Sequence, residues 1–438
     1  MNIIYSPQST NQVIPGNSQC LELPHRAKEV VIQDALWMLF CMFIMCESIS
    51  LVSTLRLVPL VGGFGLLLML AQLTERDVKR LVLFALLNAG ILLSVAVSAR
   101  FDIALFALVR AYIICPYVYL YLIHRGLDRH TLVPLALGIF PQLFVYVTGN
   151  PLTVNNNVYT RGGQFCGTIN DPNYLCTYLV IALGAQFALI IGQRSMTRAV
   201  FWVATAIITL FIILMTLSRV GALATFLSLM IFGLSFKVQR PNLRLAIIIL
   251  LMVVFSTTGQ LFKTLYPKNP IGILANRFTE EGASSIRENE RYDVWKSALN
   301  QIVSKGPIDY TDEARFISNE GISVHNVLLR LGLSYGWLTA LTHTIVWIVG
   351  LASLLMSFCR DMYSRKQQKI RTILSSVSKL LIIFPYFVVI MSIPASDQYL
   401  YWYILGVIFT LGVFTPSRSS GILMTRVAKY DVSKGILG

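Results

Sequence analysis

Residues 198–236 read RAVFWVATAIITLFIILMTLSRVGALATFLSLMIFGLSF, which is an almost unbroken apolar stretch. A transmembrane helix needs about 20 consecutive apolar residues, so this stretch has room for two spans placed back to back. Apart from Arg198 at its start, its only charged residue is Arg219, which follows Ser218 at the point where the first span would turn into the second. Similar apolar runs recur along the chain, and together they predict a polytopic helical membrane protein.

The composition points the same way. Hydrophobic residues make up 55% of the 438 residues and charged residues only 13%, about half the charged share of a soluble globular protein. We therefore predict an all-α transmembrane bundle of about twelve spans, with one sizeable external loop that contains short helices. The predicted spans lie near 33–53, 57–73, 81–98, 102–123, 131–148, 172–192, 198–217, 219–236, 244–262, 326–355, 377–396 and 399–414.

The distribution of lysine and arginine predicts the orientation. Five basic connections fall on one side, which we assign to the cytoplasm: 74–80, 124–130, 192–198, 237–244 and 360–371. The first thirty residues are polar, so we expect no cleaved leader. The resulting division is a cytoplasmic segment 1–32, nine spans within 33–262, an external loop 263–325, three spans within 326–414 and a cytoplasmic tail 415–438.

The net charge of +15 could suggest nucleic-acid binding, but this charge is not spread like a nucleic-acid surface. More than half of the 36 lysines and arginines fall in the predicted cytoplasmic segments. They act there as retention signals and as contacts for anionic lipid headgroups. The predicted partners are therefore membrane lipids and not nucleic acid.

Charges inside or beside apolar runs are the first candidates for function. A charge at Arg219 is costly unless a partner or a water-filled cavity receives it. Its guanidinium is a rigid fork of donors that suits phosphate oxygens. The alternative is a hairpin tip from which Arg219 snorkels to the phosphates of bulk lipid. Arg110, within the 102–123 span, belongs either to a buried structural pair or to the lining of a cavity.

The external loop contains a segment with a helical pattern. Arg287, Arg291 and Trp295 are four residues apart, so a helix over 285–303 places them on one face. This helix also has an apolar stripe, typical of a helix that lies on the membrane surface, formed by Ile286, Trp295, Leu299 and Ile302. The alternative is a solvated helix whose arginines are neutralised by acidic neighbours, namely Glu288, Glu290 and Asp293.

Histidine is the usual general base in enzymes because its side chain titrates near neutral pH. Of the five histidines, only His325 falls at the external surface, where the long loop re-enters the membrane. The alternative is a structural histidine at a loop-to-helix junction. The sequence has no spacing of a metal site, no phosphate-binding loop and no nucleophile elbow, so we expect no metal and no cofactor.

Four motifs, in this order, resemble those of the O-antigen polymerase and O-antigen ligase superfamily of bacterial envelopes. They are Gly167-Thr168-Ile169-Asn170-Asp171-Pro172-Asn173, Leu217-Ser218-Arg219-Val220-Gly221, Arg291-x-x-x-Trp295, and His325-Asn326 followed by Leu331-Gly332-Leu333. One departure is that the family often has a Gly-x-Gly turn after the Arg-x-x-x-Trp helix. Here that stretch reads Lys305-Gly306-Pro307-Ile308-Asp309.

The resemblance implies an inner-membrane glycosyltransferase whose site faces the periplasm. Its donor and acceptor would be glycans linked to undecaprenyl pyrophosphate, and a chain-length regulator would be a possible partner. Arg219 and Arg291 match the family's pyrophosphate-binding arginines, and His325 matches its proposed general base. Further substrate-binding candidates, some of which could instead orient these side chains, are Arg161, Asn173, Arg277, Arg287, Trp295, Asn326 and Arg330.

The modest length of the external loop favours a polymerase, which joins repeat units on their carrier. The first alternative is a ligase, which moves finished polysaccharide onto lipid A-core. A flippase or secondary transporter would also have about twelve spans, but it would carry polar residues near mid-membrane in two related halves. The distinctive residues of this chain instead cluster at one surface.

Overall fold

The computed structural model describes residues 23–46, 57–97, 101–150, 160–161, 164–169, 171–193, 195–235, 286–309, 324–363, 370–393 and 398–411. Within these ranges the chain is almost entirely helical, which confirms the predicted all-α class. The strands described are a short antiparallel hairpin of β1 (Thr160–Arg161) and β2 (Gln164–Phe165).

The described helices follow the predicted order. In the first half they are α1 (Leu23–Met45), α2 (Leu57–Leu70), α3 (Glu75–Leu87), α4 (Ala89–Val97), α5 (Phe101–Val109), α6 (Cys115–Arg125), α7 (Arg129–Leu137) and α8 (Ile139–Thr148). A single π-helical turn, Arg110–Ile114, joins α5 to α6. In the second half they are α9 (Pro172–Gly192), α10 (Met196–Met215), α11 (Arg219–Ser235), α12 (Ile286–Lys305), α13 (Val327–Tyr335), α14 (Trp337–Tyr363), α15 (Ile370–Ile390) and α16 (Tyr399–Phe409).

Five stretches of the described chain are long and apolar enough to cross a membrane, and a sixth counts if the α3–α4 pair, bent by 51°, is one span. The five are Leu105–Arg125, Arg129–Thr148, Pro172–Gly192, Met196–Met215 and Trp337–Arg360. Five other predicted spans overlap shorter apolar helices, namely Val30–Met45, Leu57–Leu70, Arg219–Ser235, Ser376–Ile390 and Tyr399–Phe409. The predicted span 244–262 lies outside the described residues, so the total of about twelve spans stays a prediction.

The core of the bundle is built around α9 and α16. Every residue of α16 is buried, and α9 is buried on nearly all sides by α7, α10, α11 and α15. At Gly184 the backbone of α9 approaches that of α15 so closely that a β-carbon would overlap the Leu381 carbonyl oxygen. Small residues allow this kind of contact, because helices in a membrane gain stability mainly from close packing.

The predicted span 326–355 is divided into two helices, α13 and α14, at Gly336. Gly336 has a φ of 86°, and a β-carbon there would lie 2.5 Å from the Pro307 carbonyl oxygen. Leu338 N donates a hydrogen bond of 3.2 Å to the same oxygen. The break at Gly336 therefore leaves α13 as a separate short helix, none of whose residues is exposed.

Contacts gather several of the predicted cytoplasmic segments at one end of the bundle, which we call the basic end. His124 Nε2 lies 3.4 Å from Asp77 Oδ2, and Arg125 Nε lies 3.6 Å from Asp34 Oδ1. Arg129 donates a hydrogen bond of 3.2 Å to the side chain of Gln193. Asp34, in the middle of α1, and the connections 74–80, 124–130 and 192–198 therefore lie close to one another.

Several polar groups buried in the bundle pair with each other. His343 Nδ1 and the Tyr401 hydroxyl are 2.8 Å apart, and Trp347 Nε1 donates to the same hydroxyl at 3.3 Å. Arg110 lies over the ring of Tyr399, 5.3 Å from its centroid. The cation–π contact of Arg110 agrees with its interpretation as part of a structural pair.

Candidate functional site

Arg219 is the first residue of α11, directly after a tight turn from α10. Leu217 has a φ of 51°, a left-handed conformation that costs a residue with a β-carbon about 1–2 kcal/mol. Ser218 then caps α11, because its hydroxyl accepts a hydrogen bond of 3.1 Å from Gly221 N. A partly exposed guanidinium thus stands at the positive end of the helix dipole, and both features attract an anion.

The Ser218 hydroxyl also connects α11 to the start of α9. It donates a hydrogen bond of 2.8 Å to Asn173 Oδ1. Asn173 is held in turn by Asp171, whose carboxylate accepts from Asn173 N at 2.8 Å and from Tyr174 N at 3.0 Å. Two of the four motifs are therefore joined by side chains, although they are far apart in sequence.

The turn before α9 is fixed from the other side by α8. Gln142 accepts a hydrogen bond of 3.0 Å from Thr168 N and donates one of 2.8 Å to Thr168 Oγ1. The ring of Phe165, on β2, packs edge-on against Tyr146 of α8. Arg161 lies on the partner strand β1, and its side chain is outside the described part of the structure.

His325 stands directly before α13, between two buried residues. Val324 is 2% exposed and Asn326 is 5% exposed, whereas His325 is partly exposed. Asn326 caps α13, because its Oδ1 accepts from Leu328 N at 3.0 Å and from Leu329 N at 3.1 Å. Its Nδ2 donates to the Met391 carbonyl oxygen at 3.2 Å. The imidazole is thus carried on a backbone that is fixed on both sides.

Helix α12, which extends the predicted 285–303 segment at its C-terminal end, packs against α13 beside His325. Its buried face consists of Val294, Ala298 and Ile302, and these residues share a cluster with Val324 and Leu333. Arg287 and Arg291 lie in the first two turns of this helix, and their side chains are outside the described part.

Only part of the predicted apolar stripe of α12 packs against the rest of the protein. Ile302 is buried, but Trp295 and Leu299 are 38% and 53% exposed. The side chain of Ile286 is outside the described part. After the end of the helix, Gly306 takes a positive φ of 98°.

Hydrogen bonds at the end of α15 and the start of α16 indicate that Asn173 and Arg219 lie at the same end of the bundle as His325 and Asn326. Asn326 is bonded to Met391, at the end of α15, and Thr177 in α9 donates a long hydrogen bond of 3.5 Å to Gln398, just before α16. We call this end of the bundle the site end. At this end lie Asn173, Arg219, His325, Asn326, the helix of Arg291 and, one turn into α13, Arg330. Arg277 lies outside the described residues.

The sequence analysis did not predict that Asp171, Ser218 and Asn326 cap the helices at the site end. Asp171 precedes Pro172, and Ser218 and Asn326 each precede an apolar helix, which are the usual signals of a helix start. Those signals were present in the sequence. The partner groups, Gln142 and the Met391 carbonyl, carry no such signal because they come from distant helices.

Fold and site together define a helical membrane protein with arginines and a histidine at one end of its bundle. Residues 204–344 match the family model described as O-antigen ligase. This range includes Arg219, Arg291 and His325, and Arg161 and Asn173 precede it. The match confirms the resemblance to the O-antigen polymerase and ligase superfamily and indicates a glycosyltransferase-like enzyme. No curated protein is detectably similar to the chain.

Proposed function

We propose that this protein is an inner-membrane glycosyltransferase that polymerises undecaprenyl-pyrophosphate-linked oligosaccharide repeat units at the periplasmic face. The product would be O-antigen or a related surface polysaccharide. The observation that supports this most directly is the common site end of Arg219 and His325. Both lie in the range that matches the O-antigen ligase family, and both are held by a helix cap.

The proposed reaction is a displacement at the anomeric carbon of the donor sugar. The hydroxyl oxygen of the acceptor sugar forms the new bond to this carbon, and the bond from the carbon to the pyrophosphate oxygen breaks. The leaving pyrophosphate keeps the electron pair, and His325 takes the proton of the hydroxyl. Atoms and charges balance without an oxidant, a reductant or a metal ion.

Arg219 and Arg291 would stabilise the charge that grows on the leaving pyrophosphate. Preorganised cations in a poorly hydrated cleft are effective at this task, because they need no reorganisation during the reaction. The N-terminus of α11 adds the partial positive charge of the helix dipole. Arg161, Arg277, Arg287 and Arg330 would provide further cations along the same surface.

In this proposal Asn173 and Asn326 orient other residues of the site and do not bind a sugar directly. The side-chain carbonyl of Asn173 holds the hydroxyl that caps the helix of Arg219, and Asn326 uses both ends of its amide to fix the backbone after His325. We therefore assign them as positioning residues. A direct contact with a sugar would have to use what remains of their hydrogen-bonding capacity.

A ligase is the second candidate, because the matching family is described as O-antigen ligase. A ligase uses the same donor and the same bond cleavage but passes the glycan to lipid A-core. The same residues would serve both reactions, so the choice concerns only the acceptor. The modest external loop, 263–325, is the reason for placing the polymerase first.

The deciding experiment uses the purified full-length chain in proteoliposomes with a chelator present. Lipid-linked repeat units alone should yield a ladder of longer products on the same carrier. Products that form only after lipid A-core is added would make the protein a ligase. If no glycosidic bond forms under either condition and labelled lipid-linked sugar crosses the bilayer instead, the protein is a transporter and the proposal fails.

A further inference from the structure

Helix α12 has an apolar surface about twice as wide as the face that packs on α13. Val294, Ala298 and Ile302 form the packed face, which is buried in the cluster with Val324. Adjacent to it, and again at four-residue spacing, an outward stripe remains uncovered, formed by Trp295 (38% exposed), Leu299 (53%) and Val303 (67%). At 3.6 residues per turn the two faces together cover about half of the helix.

The rest of the helix surface is polar and exposed. Asp293, Ser297, Asn300 and Ser304 lie on this side. Lys296 is exposed and lies by periodicity at the border between Val303 and the polar side. An apolar face bordered by a lysine and backed by a polar face is typical of a helix in the interfacial layer of a membrane. A fully solvated helix would not be expected to have three large apolar side chains on the side that does not pack on α13.

The C-terminal end of α12 also lies beside the start of a candidate span. Gly306, directly after α12, accepts a hydrogen bond of 3.4 Å from Trp337 N at the start of α14. Trp337 is 39% exposed and begins an exposed apolar row along α14 that continues through Leu341, Ile345 and Ile348. Tryptophans concentrate where the bilayer meets water, and here Trp295 and Trp337 belong to neighbouring segments at the same end of the bundle.

We propose that the outward stripe of α12 is a lipid contact, embedded in the boundary between headgroups and acyl chains at the site end. The partner is the bilayer itself. In this position α12 lies along the membrane surface, with its packed face on α13, its outward stripe in lipid and its polar face in water. Trp295 then contacts lipid, and it touches the donor only through the donor's lipid carrier.

This placement has a consequence for the proposed reaction, and this part alone rests on the proposed function. The apolar face of an amphipathic helix lies about 5–10 Å into the boundary between headgroups and acyl chains, so the helix itself lies at the level of the headgroups. Arg287 and Arg291, in the first two turns of α12, would then stand at the level of a pyrophosphate whose lipid tail remains in the bilayer. The embedded stripe thus sets the depth of these arginines relative to the bilayer, although it does not contact the donor itself.

The test uses the full-length chain in nanodiscs with a photo-crosslinking amino acid at single positions. Positions 299 and 303 should give lipid adducts by mass spectrometry, while the matched positions 300 and 304, on the polar side of the same turns, should give background. Adducts to a second copy of the chain at 299 and 303 would show that the outward stripe is a dimer contact and not a lipid contact. Equal background at all four positions would mean a solvated helix. Either result overturns the proposal.

A second measurement separates this inference from the proposed reaction. Leu299→Glu should reduce the lipid adduct at 303, and Asn300→Glu should leave it unchanged. These readouts need no substrate, so they remain valid if the protein proves to have another activity. If Leu299→Glu also lowers polymer formation while Asn300→Glu does not, the height of α12 matters to the reaction. Unchanged polymer formation in Leu299→Glu would remove that consequence.

Discussion

Ser218 donates a hydrogen bond of 2.8 Å to the side-chain carbonyl of Asn173, and the same hydroxyl accepts from Gly221 N at 3.1 Å. One oxygen therefore caps the helix of Arg219 and ties that helix to the start of α9. The cap and the tie can be tested together, because a single substitution removes both.

Ser218→Ala should lower the stability of α11 by about 1 kcal/mol through loss of the cap. It should lower turnover by roughly tenfold or more, because displacement of a reacting group by about 1 Å can cost ~10²-fold. Thermal unfolding in detergent and the polymerisation assay measure the two effects. Ser228→Ala is the matched control, since Ser228 in the same helix donates only to the Ala224 carbonyl of its own helix. Equal effects of both changes would mean that Ser218 has no special role.

Arg219→Ala and Arg291→Ala should each reduce polymer formation by about 10²–10³-fold, the cost of losing one preorganised group that stabilises developing charge. Lysine should rescue poorly, because it keeps the charge but loses the forked donor geometry. Arg129→Ala, at the basic end, is the control and should retain activity. Full activity of both lysine variants would show that simple charge balance is sufficient.

His325→Ala should bind the donor almost normally and turn over about 10²–10⁴-fold more slowly, the usual contribution of a general base. Imidazole acts as a base only when neutral, so wild-type turnover should fall at acidic pH. The variant should lack this acidic decline, and higher pH should recover part of its lost rate. His130→Ala at the basic end is the control. A variant with wild-type turnover would make His325 a structural residue.

Asn326→Asp keeps the oxygen that caps α13 but loses the amide donor to the Met391 carbonyl. It should lower turnover more than it changes the KM for the donor, because the backbone that carries His325 loses one of its anchors. In a His325→Ala background the same change should have little further effect on turnover. An additive loss in the double variant would mean that Asn326 acts independently of His325, for example on a sugar.

Orientation can be tested with a membrane-impermeant maleimide. Cys359 is exposed, close to the basic connection 360–371, and should be protected in cells whose inner membrane is intact. Ser297→Cys, on the exposed side of α12, should be labelled in a Cys359→Ser background. Labelling in the reverse pattern would place the site end in the cytoplasm and would exclude a periplasmic reaction.

The sequence predicted the order of the helices and many of their ends, because apolar length is what the bilayer requires of a span. The first span was predicted at 33–53, whereas α1 begins ten residues earlier and runs from Leu23 to Met45. Gly336 was different. The 326–355 run stays apolar through this position, so apolar length did not show that Gly336 takes a positive φ and ends α13 beside the Pro307 carbonyl. The same limit applies to α12, because periodicity located its apolar arc but not which part packs on α13 and which part stays uncovered. Val294 and Ala298 belong to the packed part, whereas Trp295 and Leu299 do not.

Ser218 precedes Arg219, and Asn326 follows His325, so at both places the residue that holds the fold and the residue assigned to the chemistry are adjacent but separate. The helix caps are formed by Ser218 and Asn326 and do not involve Arg219 or His325. Variants that lack the guanidinium or the imidazole should therefore keep a native scaffold, which makes them suitable for trapping an unreacted lipid-linked glycan for structure determination.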